Sequence, residues 1–376
     1  MMNKTQVFEV RDNSRIARIL RVINLDPVLF LGLVLLTAAG LGILYSAGDG
    51  SIALVRAQLI RLGLAFFVMV VVAQIPQRQL YLWAPWFFGL GVVLLVLVLT
   101  SGDVGGGAQR WLNLYFIKFQ ASEMMKLITP MMLAWYLSEK PLPPTLKPLL
   151  VAALLVIGPT VLIAMQPDLG TSILVAAAGF FVVFLAGLRW RVLLGVILAG
   201  LVFVPVLWQM MHDYQKQRVL TLLNPESDPL GSGYHIIQSK IAIGSGGLYG
   251  KGWLNGTQSQ LDFLPERHTD FIFAVFAEEF GMMGAIVLLA LYLFIILRGL
   301  YIASKAQDSF GRLLAGSLSL TFFVYLFVNV GMVSGILPVV GVPLPLVSYG
   351  GTSMVTLMAG FGMLMSISSN RRLLSR

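Results

Sequence analysis

The stretch PERHTDFIFAVFAEEFG, Pro265–Gly281, guides the interpretation of the whole chain. It ends the one long polar segment of an otherwise apolar sequence and begins a hydrophobic run. Acidic residues, an arginine and a histidine lie between Glu266 and Glu279. Ionisable groups at a membrane boundary are energetically expensive and usually functional, so this junction is the first candidate for a site.

The composition is that of a membrane protein. Hydrophobic residues make up 57% of the 376 positions and charged residues 11%, whereas soluble domains have roughly 45–50% and about 25%. Continuous apolar runs of about 20 residues match a hydrocarbon core of roughly 30 Å and exclude the alternating strands of an outer-membrane barrel. Cysteine is absent, which excludes disulfides and thiolate metal sites. The net charge of +9 fits basic cytoplasmic loops better than a nucleic-acid partner.

The apolar runs predict an all-α polytopic membrane protein with about ten transmembrane helices, in a single domain over residues 1–376. The expected spans lie near residues 27–46, 54–73, 80–100, 122–138, 148–165, 170–188, 191–211, 270–299, 311–335 and 348–368. Lysine and arginine concentrate in alternate loops and in both tails, so both termini are predicted to be cytoplasmic. The loops at 101–121, at about 212–269 and at 335–351 are then extracytoplasmic.

The large extracytoplasmic loop at about 212–269 is predicted to be ordered, because it carries aromatic residues and isoleucines. Its segment Tyr234–Gly244 has the apolar spacing of a short helix on the bilayer surface. GSGGLYGKG, Gly244–Gly252, lacks the spacing of a phosphate-binding loop and predicts a flexible turn. Three histidines, His212, His235 and His268, fall in this loop without a metal-ligand spacing.

Asp270 is the main candidate for chemistry. It stands at the expected start of the eighth span, beside Glu266 and His268, with Glu278 and Glu279 two turns further along. A carboxylate in a cavity of the outer leaflet suits proton abstraction or coordination of a divalent cation. The alternative is an acid that caps a helix N-terminus.

Other polar residues have a structural and a functional interpretation. Glu123 and Lys126, at i and i+3, face one side of the fourth span, as a buried ion pair or as part of a polar cavity. Arg110 and Trp111 suit gripping a pyrophosphate and stacking on a sugar, or simple anchoring at headgroup depth. Asp168, in QPDLGTS, suits a helix cap as well as a site.

Four segments resemble the SEDS family (shape, elongation, division and sporulation), and the resemblance runs over nearly the whole chain. They are GAQRWLNLYFIKFQASEMMK (107–126), QPDLGTS (166–172), NPESDPLGSGYHIIQSKIAIGSGGLYGKGWLNGTQSQLDFLPERHTDFIFAVFAEEFG (224–281) and GILPVVGVPLPLVSYGGTS (335–353). The run before HTDF is more similar to elongation members than to division members. Ala121 stands where the family typically has proline, a departure that loosens the expected start of the fourth helix.

The resemblance implies a peptidoglycan glycosyltransferase that polymerises lipid II during cell elongation, at the outer face of the bacterial cytoplasmic membrane. Its implied partners are lipid II, undecaprenyl-pyrophosphate-linked glycan, a class B penicillin-binding protein and the rod-shape elongation complex. No cofactor is certain; a divalent cation (Mg or Mn) is an open expectation. The rival functions are a lipid II flippase and a non-catalytic scaffold of the elongation machinery.

The resemblance also implies roles for individual residues. The family's essential aspartate falls on Asp270, expected to act as general base on the 4-hydroxyl of the acceptor's N-acetylglucosamine. Its GAxRW motif falls on Arg110 and Trp111, and its cavity acid and lysine fall on Glu123 and Lys126. Glu266, His268 and Asp168 complete the candidate substrate-binding residues.

Overall fold

The structure is a computed structural model that describes residues 23–105, 108–113, 118–211, 213–228, 231–261, 263–264 and 266–369. The first helices are α1 (Pro27–Ala47), α2 (Ile52–Ala73), α3 (Gln77–Ser101), α4 (Ala121–Ser138), α5 (Leu146–Ala164), α6 (Leu169–Leu185) and α7 (Trp190–Met210). They are followed by α8 (Asp213–Leu223), α9 (Ser232–Ser245), α10 (Thr257–Gln260), α11 (Ile272–Lys305), α12 (Ser309–Val333) and α13 (Thr352–Ser369). A helix therefore lies at each of the ten expected spans.

The helical membrane architecture is confirmed, and the number of crossings stays a prediction. Among the described residues, seven helices are long and apolar enough to cross a membrane: α1, α2, α3, α5, α11, α12 and α13. Helix α6 is apolar but shorter, and α4 carries the charged residues Glu123 and Lys126. The side chains of Phe67, Trp86 and Leu154 point outward and are more than half exposed, as expected of surfaces that face lipid.

Helix α12 is the centre of the bundle. It contacts α4, α6, α11 and α13, and 72% of its most apolar window is buried, more than in any of the other six spans. Its N-cap is Asp308, which accepts a hydrogen bond from the Gly311 N–H at 3.3 Å. Because α12 packs against four other helices, a buried side chain near its C-terminal end, such as Asn329, is a rigid support for whatever packs there.

Helix α11 is broken at Gly281, and another segment fills the break. Gly281 has φ +63°, outside the helical range. The segment 247–252 crosses at this point: the Lys251 N–H donates to the Glu278 carbonyl at 3.0 Å and the Met282 N–H donates to the Gly247 carbonyl at 2.9 Å. A Cβ on Gly281 would lie 2.3 Å from the Gly250 nitrogen. The predicted turn in GSGGLYGKG is present, and its glycines permit this backbone crossing.

One of the extracytoplasmic segments differs from the expectation, and another contains the helix that was expected. The loop after α3 forms three short antiparallel strands, β1 (Asp103–Gly105), β2 (Ala108–Asn113) and β3 (Lys118–Phe119), so the fold is helical but not strictly all-α. The predicted helix at 234–244 is present as α9, and its position on the bilayer surface stays a prediction. Its buried face carries Ile236, Ser239 and Ala242, and it packs on α11 and α12.

Candidate functional site

Asp270 lies in a tight turn, Glu266–Phe271, directly before α11. The carbonyl of Glu266 accepts hydrogen bonds from the N–H groups of Thr269 at 3.1 Å and Phe271 at 3.3 Å. The Thr269 hydroxyl donates to the Glu266 carboxylate at 2.6 Å. Glu266 itself adopts a left-handed backbone, with φ +53°. The turn therefore holds Asp270 outside the helix and in a defined place.

The segment between α12 and α13 holds this turn from its other side. The Asn329 amide donates to two carbonyls, those of Asp270 and Val342, each at 2.8 Å. The Ser348 hydroxyl donates to the Thr269 carbonyl at 2.6 Å, and the Tyr349 N–H donates to the His268 carbonyl at 2.8 Å. Three successive residues of the turn are thus fixed by groups more than 50 positions further along the chain.

The carboxyl group of Asp270 is mostly buried yet partly accessible. Burial, reinforced by the negative charge of Glu266, raises the pKa of Asp270 from 3.8 to about 6, with Arg218 of α8 acting in the opposite direction. Gly341, at φ +75°, leaves room beside the carboxylate: a Cβ there would lie 3.6 Å from Asp270 Oδ2. A carboxyl with a pKa close to neutral is suited to accept a proton.

Glu278 and Glu279, two turns beyond Asp270, are enclosed by other parts of the protein. Both side chains are fully buried. Glu278 pairs with Lys251 at 2.7 Å and accepts from the Thr257 hydroxyl and the Gln258 N–H, while Glu279 accepts from the Ser46 hydroxyl. Glu278 therefore fastens the outer segment to α11, and Glu279 fastens α1 to it.

Glu123 and Lys126 share one face of α4, as predicted. Their charged atoms are 2.6 Å apart and both side chains are buried. The Lys126 ammonium also lies 4.9 Å from the centre of the Tyr325 ring. It borders a narrow, mostly apolar cleft between α4, α12 and α13, which Thr321 and Gly360 also line. The buried ion pair accounts for the geometry of these two residues, and a role in binding substrate stays a prediction. Helix α4 begins at Ala121 without the proline typical of the family.

Asp168 is used as a helix cap. Its Oδ1 accepts from the Thr171 N–H at 3.2 Å at the start of α6, and its Oδ2 accepts from the Gln120 amide at 2.9 Å. Both oxygens already have partners in the protein, so the capping interpretation accounts for this residue. A role in substrate binding stays a prediction.

Arg110 and Trp111 are consecutive residues of β2. Trp111 pairs with Asp103 of β1 in the antiparallel register and is half-buried. The side chain of Arg110 falls outside the described part of the structure, so its expected role in binding pyrophosphate stays a prediction.

Two of the three histidines lie near the Asp270 turn. The His268 ring packs edge-on against Tyr349 with a centroid distance of 5.9 Å, and the His235 ring stacks on Phe271 at 5.5 Å. Burial lowers the pKa of His235, which the charges of Glu266 and Asp228 partly oppose. His212 lies outside the described residues. Over the described ranges, no three histidine, aspartate or glutamate side chains group as a metal site would require.

Several residues around Asp270 were not found from the sequence. Asn329, Ser348 and Arg218 reach the turn from distant segments, and no local pattern marks them. A polar Asn or Ser near the end of an apolar span is a weak signal, because most such groups bond to their own helix. Only the packing of α12 and the following segment against the turn reveals their role.

Comparison with known proteins places this geometry in context. The family model named for FtsW, RodA and SpoVE, described as a cell cycle protein, matches residues 18–373. The chain is 55% identical over 355 residues to the peptidoglycan glycosyltransferase MrdB of Escherichia coli K12, covering 94% of this chain and 96% of the relative. It is 36% identical over 372 residues to the probable peptidoglycan glycosyltransferase FtsW of Trichlorobacter lovleyi, covering 94% and 95%.

Solved structures show the same fold. The chain superposes on the rod shape determining protein RodA of Thermus thermophilus with a TM-score of 0.70 and 29% identity, covering 93% of this chain and 98% of that one. A chain from a structure described as showing the coordination of polymerization and crosslinking by a peptidoglycan synthase complex matches with a TM-score of 0.81 and 31% identity, covering 92% and 98%.

Proposed function

Since the chain belongs to the family of FtsW, RodA and SpoVE, which is the SEDS family, we propose that it is a peptidoglycan glycosyltransferase acting in cell shape and elongation. It is a multi-pass protein of the bacterial inner membrane. The observation that carries the proposal is 55% identity, over almost the full length of both chains, to a relative named for this activity.

The reaction joins two membrane-tethered saccharides. The 4-hydroxyl oxygen of the acceptor's N-acetylglucosamine attacks the anomeric carbon of the lipid-linked growing chain. The bond from that carbon to the pyrophosphate oxygen breaks, and undecaprenyl pyrophosphate leaves with the bonding electrons. The hydroxyl proton passes to a base of the protein, so one glycosidic bond forms for each bond to pyrophosphate that is broken.

Asp270 is the base in this scheme. Its partial accessibility and its raised pKa support the role, because a base is most effective when its pKa lies near the working pH. General-base help contributes typically 10²–10⁴-fold, so positioning of the two lipid-held sugars supplies much of the remaining acceleration. The bonds from Asn329 and Ser348 to the turn keep the carboxylate in place between turnovers.

Cationic side chains offset the charge that develops on the leaving pyrophosphate. Arg110 and Lys126 are assigned this role, with Trp111, Glu123, Glu266, His268 and Asp168 as further candidate contacts with substrate. Lys126 already pairs with Glu123 at 2.6 Å, so only part of its charge is available. A divalent cation stays a proposal. No step of the scheme depends on it, since the described acids do not group into a metal site.

The proposed function also includes a protein partner and an orientation of the chain in the membrane. A class B penicillin-binding protein that crosslinks the new glycan, within the rod-shape elongation complex, is the expected partner. The description of one structural neighbour joins polymerization to crosslinking, which supports this expectation. With both termini in the cytoplasm, as the loop charges predict, the Asp270 turn faces the extracytoplasmic side.

Vesicles with lipid II in one leaflet test the proposal. The purified chain is reconstituted with its crosslinking partner. Lipid II is supplied only to the leaflet on the extracytoplasmic side of the protein. A polymerase builds glycan there without translocating lipid. Movement of lipid II to the other leaflet without glycan would establish a flippase instead, and the absence of both would favour a scaffold.

A further inference from the structure

Arg61 is a charged residue in the middle of an apolar membrane helix. It is the tenth of the 22 residues of α2, about 14 Å along the axis from Ile52. The segment is one of the seven that qualify as membrane spans. A charge at this depth is costly unless it faces a polar space or a partner.

No protein acid neutralises Arg61 within the described ranges of the chain. Its guanidinium lies 4.2 Å from the centre of the Tyr349 ring, and this cation–π contact is the interaction it makes there. A ring face attracts the positive charge but does not satisfy the five N–H donors of a guanidinium. The side chain is half-buried, so some of these donors remain accessible.

The surroundings place Arg61 beside the Asp270 turn. The N–H of Tyr349 donates to the carbonyl of His268, two residues before Asp270. One turn earlier on α2, the buried Gln58 amide donates to the Ser348 carbonyl at 3.1 Å. Helix α2 and the candidate site are therefore joined through residues 348 and 349, with Arg61 next to that junction.

We infer that Arg61 is a phosphate-binding residue for the lipid-linked substrate of this site, an assignment that rests on the proposed function. Arginine is the side chain best matched to phosphate, because its planar fork makes two parallel charge-assisted hydrogen bonds. Two membrane components carry such oxygens, the pyrophosphate of a polyprenyl-linked saccharide and the headgroup of an anionic phospholipid. The position beside the Asp270 turn favours the pyrophosphate.

Binding of farnesyl diphosphate to the full-length protein in phosphatidylcholine nanodiscs tests the inference. Arg61→Gln should weaken binding about tenfold or more, as expected for lost hydrogen bonds to a charged group, and Arg61→Lys should fall between this variant and the wild type. The matched control is Arg56→Gln, an exposed arginine of the same helix, which should bind as the wild type does. Farnesol, which has no phosphate, should not distinguish the variants.

A second set of measurements separates phosphate binding from a structural role and identifies the source of the phosphate. Arg61→Gln should raise the KM for lipid II more than it lowers kcat, with a Tm close to that of the wild type. Tyr349→Phe keeps the ring and should bind farnesyl diphosphate normally. The last measurement uses nanodiscs that contain phosphatidylglycerol. If Arg61→Gln loses bound phosphatidylglycerol but binds farnesyl diphosphate as the wild type does, the substrate assignment is overturned.

The binding measurement needs no turnover, so the two proposals fail separately. The inference about Arg61 is overturned, and the proposed function is not, if the wild type polymerises lipid II and the Arg61→Gln variant binds farnesyl diphosphate as well as the wild type does. A wild-type protein that binds farnesyl diphosphate through Arg61 but never polymerises lipid II overturns the proposed function and its substrate assignment, and leaves a phosphate site at Arg61.

Discussion

The pH dependence of polymerisation depends on the environment of Asp270. With a pKa of about 6, roughly ten elevenths of the carboxyl groups are ionised at pH 7 and about one eleventh at pH 5, so kcat/KM should fall about tenfold between these pH values. An aspartate at the ordinary value of 3.8 would stay almost fully ionised at pH 5. The sign follows from the role: the base acts when ionised, so activity is lost as the pH falls through the raised pKa.

The measurement is the initial rate of glycan formation from lipid II at low substrate concentration, from pH 5 to pH 8. The Glu266→Gln variant removes a negative charge that raises the pKa of Asp270, so its acid limb should move to lower pH. The control is Glu226→Gln, an exposed acid elsewhere in the outer segment, whose limb should match that of the wild type. A wild-type kcat/KM that stays constant down to pH 5, or a limb that Glu266→Gln leaves in place, would refute the reasoning.

Three substitutions test the supports of the site. Glu123→Gln leaves the buried Lys126 without its partner and should lower the free energy of unfolding in detergent by about 3–5 kcal/mol. Adding Lys126→Met should recover part of this loss. If the two losses instead add, the residues are not a coupled pair. Asn329→Ala removes two hydrogen bonds, worth about 1 kcal/mol each. Because the Asp270 backbone loses a support, the substitution should lower kcat more than it raises KM. An unchanged kcat would contradict this expectation. Gly250→Ala places a Cβ 2.0 Å from the Glu279 carbonyl oxygen, at a residue with φ +78°. The backbone strain costs on the order of 1–3 kcal/mol, so backbone hydrogen exchange at 247–258 should become faster. The control is Gly244→Ala, which has open space around it and should behave as the wild type.

Hydrophobic runs alone were sufficient to predict where the ten long apolar helices lie. Each expected span has a helix, because a run of about 20 apolar residues in a bilayer has few alternatives to a helix. The short strands around Trp111 were not predicted, since pairs of two to six residues depend on their partners more than on their own composition.

The site was only partly predictable. Asp270 and Glu266 stand in one charged motif, so their proximity follows from the sequence. Asn329 is 59 positions along the chain from Asp270, and Ser348 is 79 positions from Thr269, the residues whose carbonyls they hold. Such contacts depend on how the helices pack and are not visible in the sequence. The burial of Glu278 and Glu279 could not be predicted for a similar reason: the segment that covers them enters through the break at Gly281, which a continuous apolar run does not reveal.

The most direct test of the central claim is glycan synthesis by Asp270→Asn. The substitution keeps the size of the side chain and removes its ability to accept the proton. With normal membrane insertion and normal binding of lipid II, the polymerisation rate should fall at least about 100-fold. A variant that inserts normally and still builds glycan from purified lipid II at the wild-type rate would contradict the assignment of Asp270 as the base.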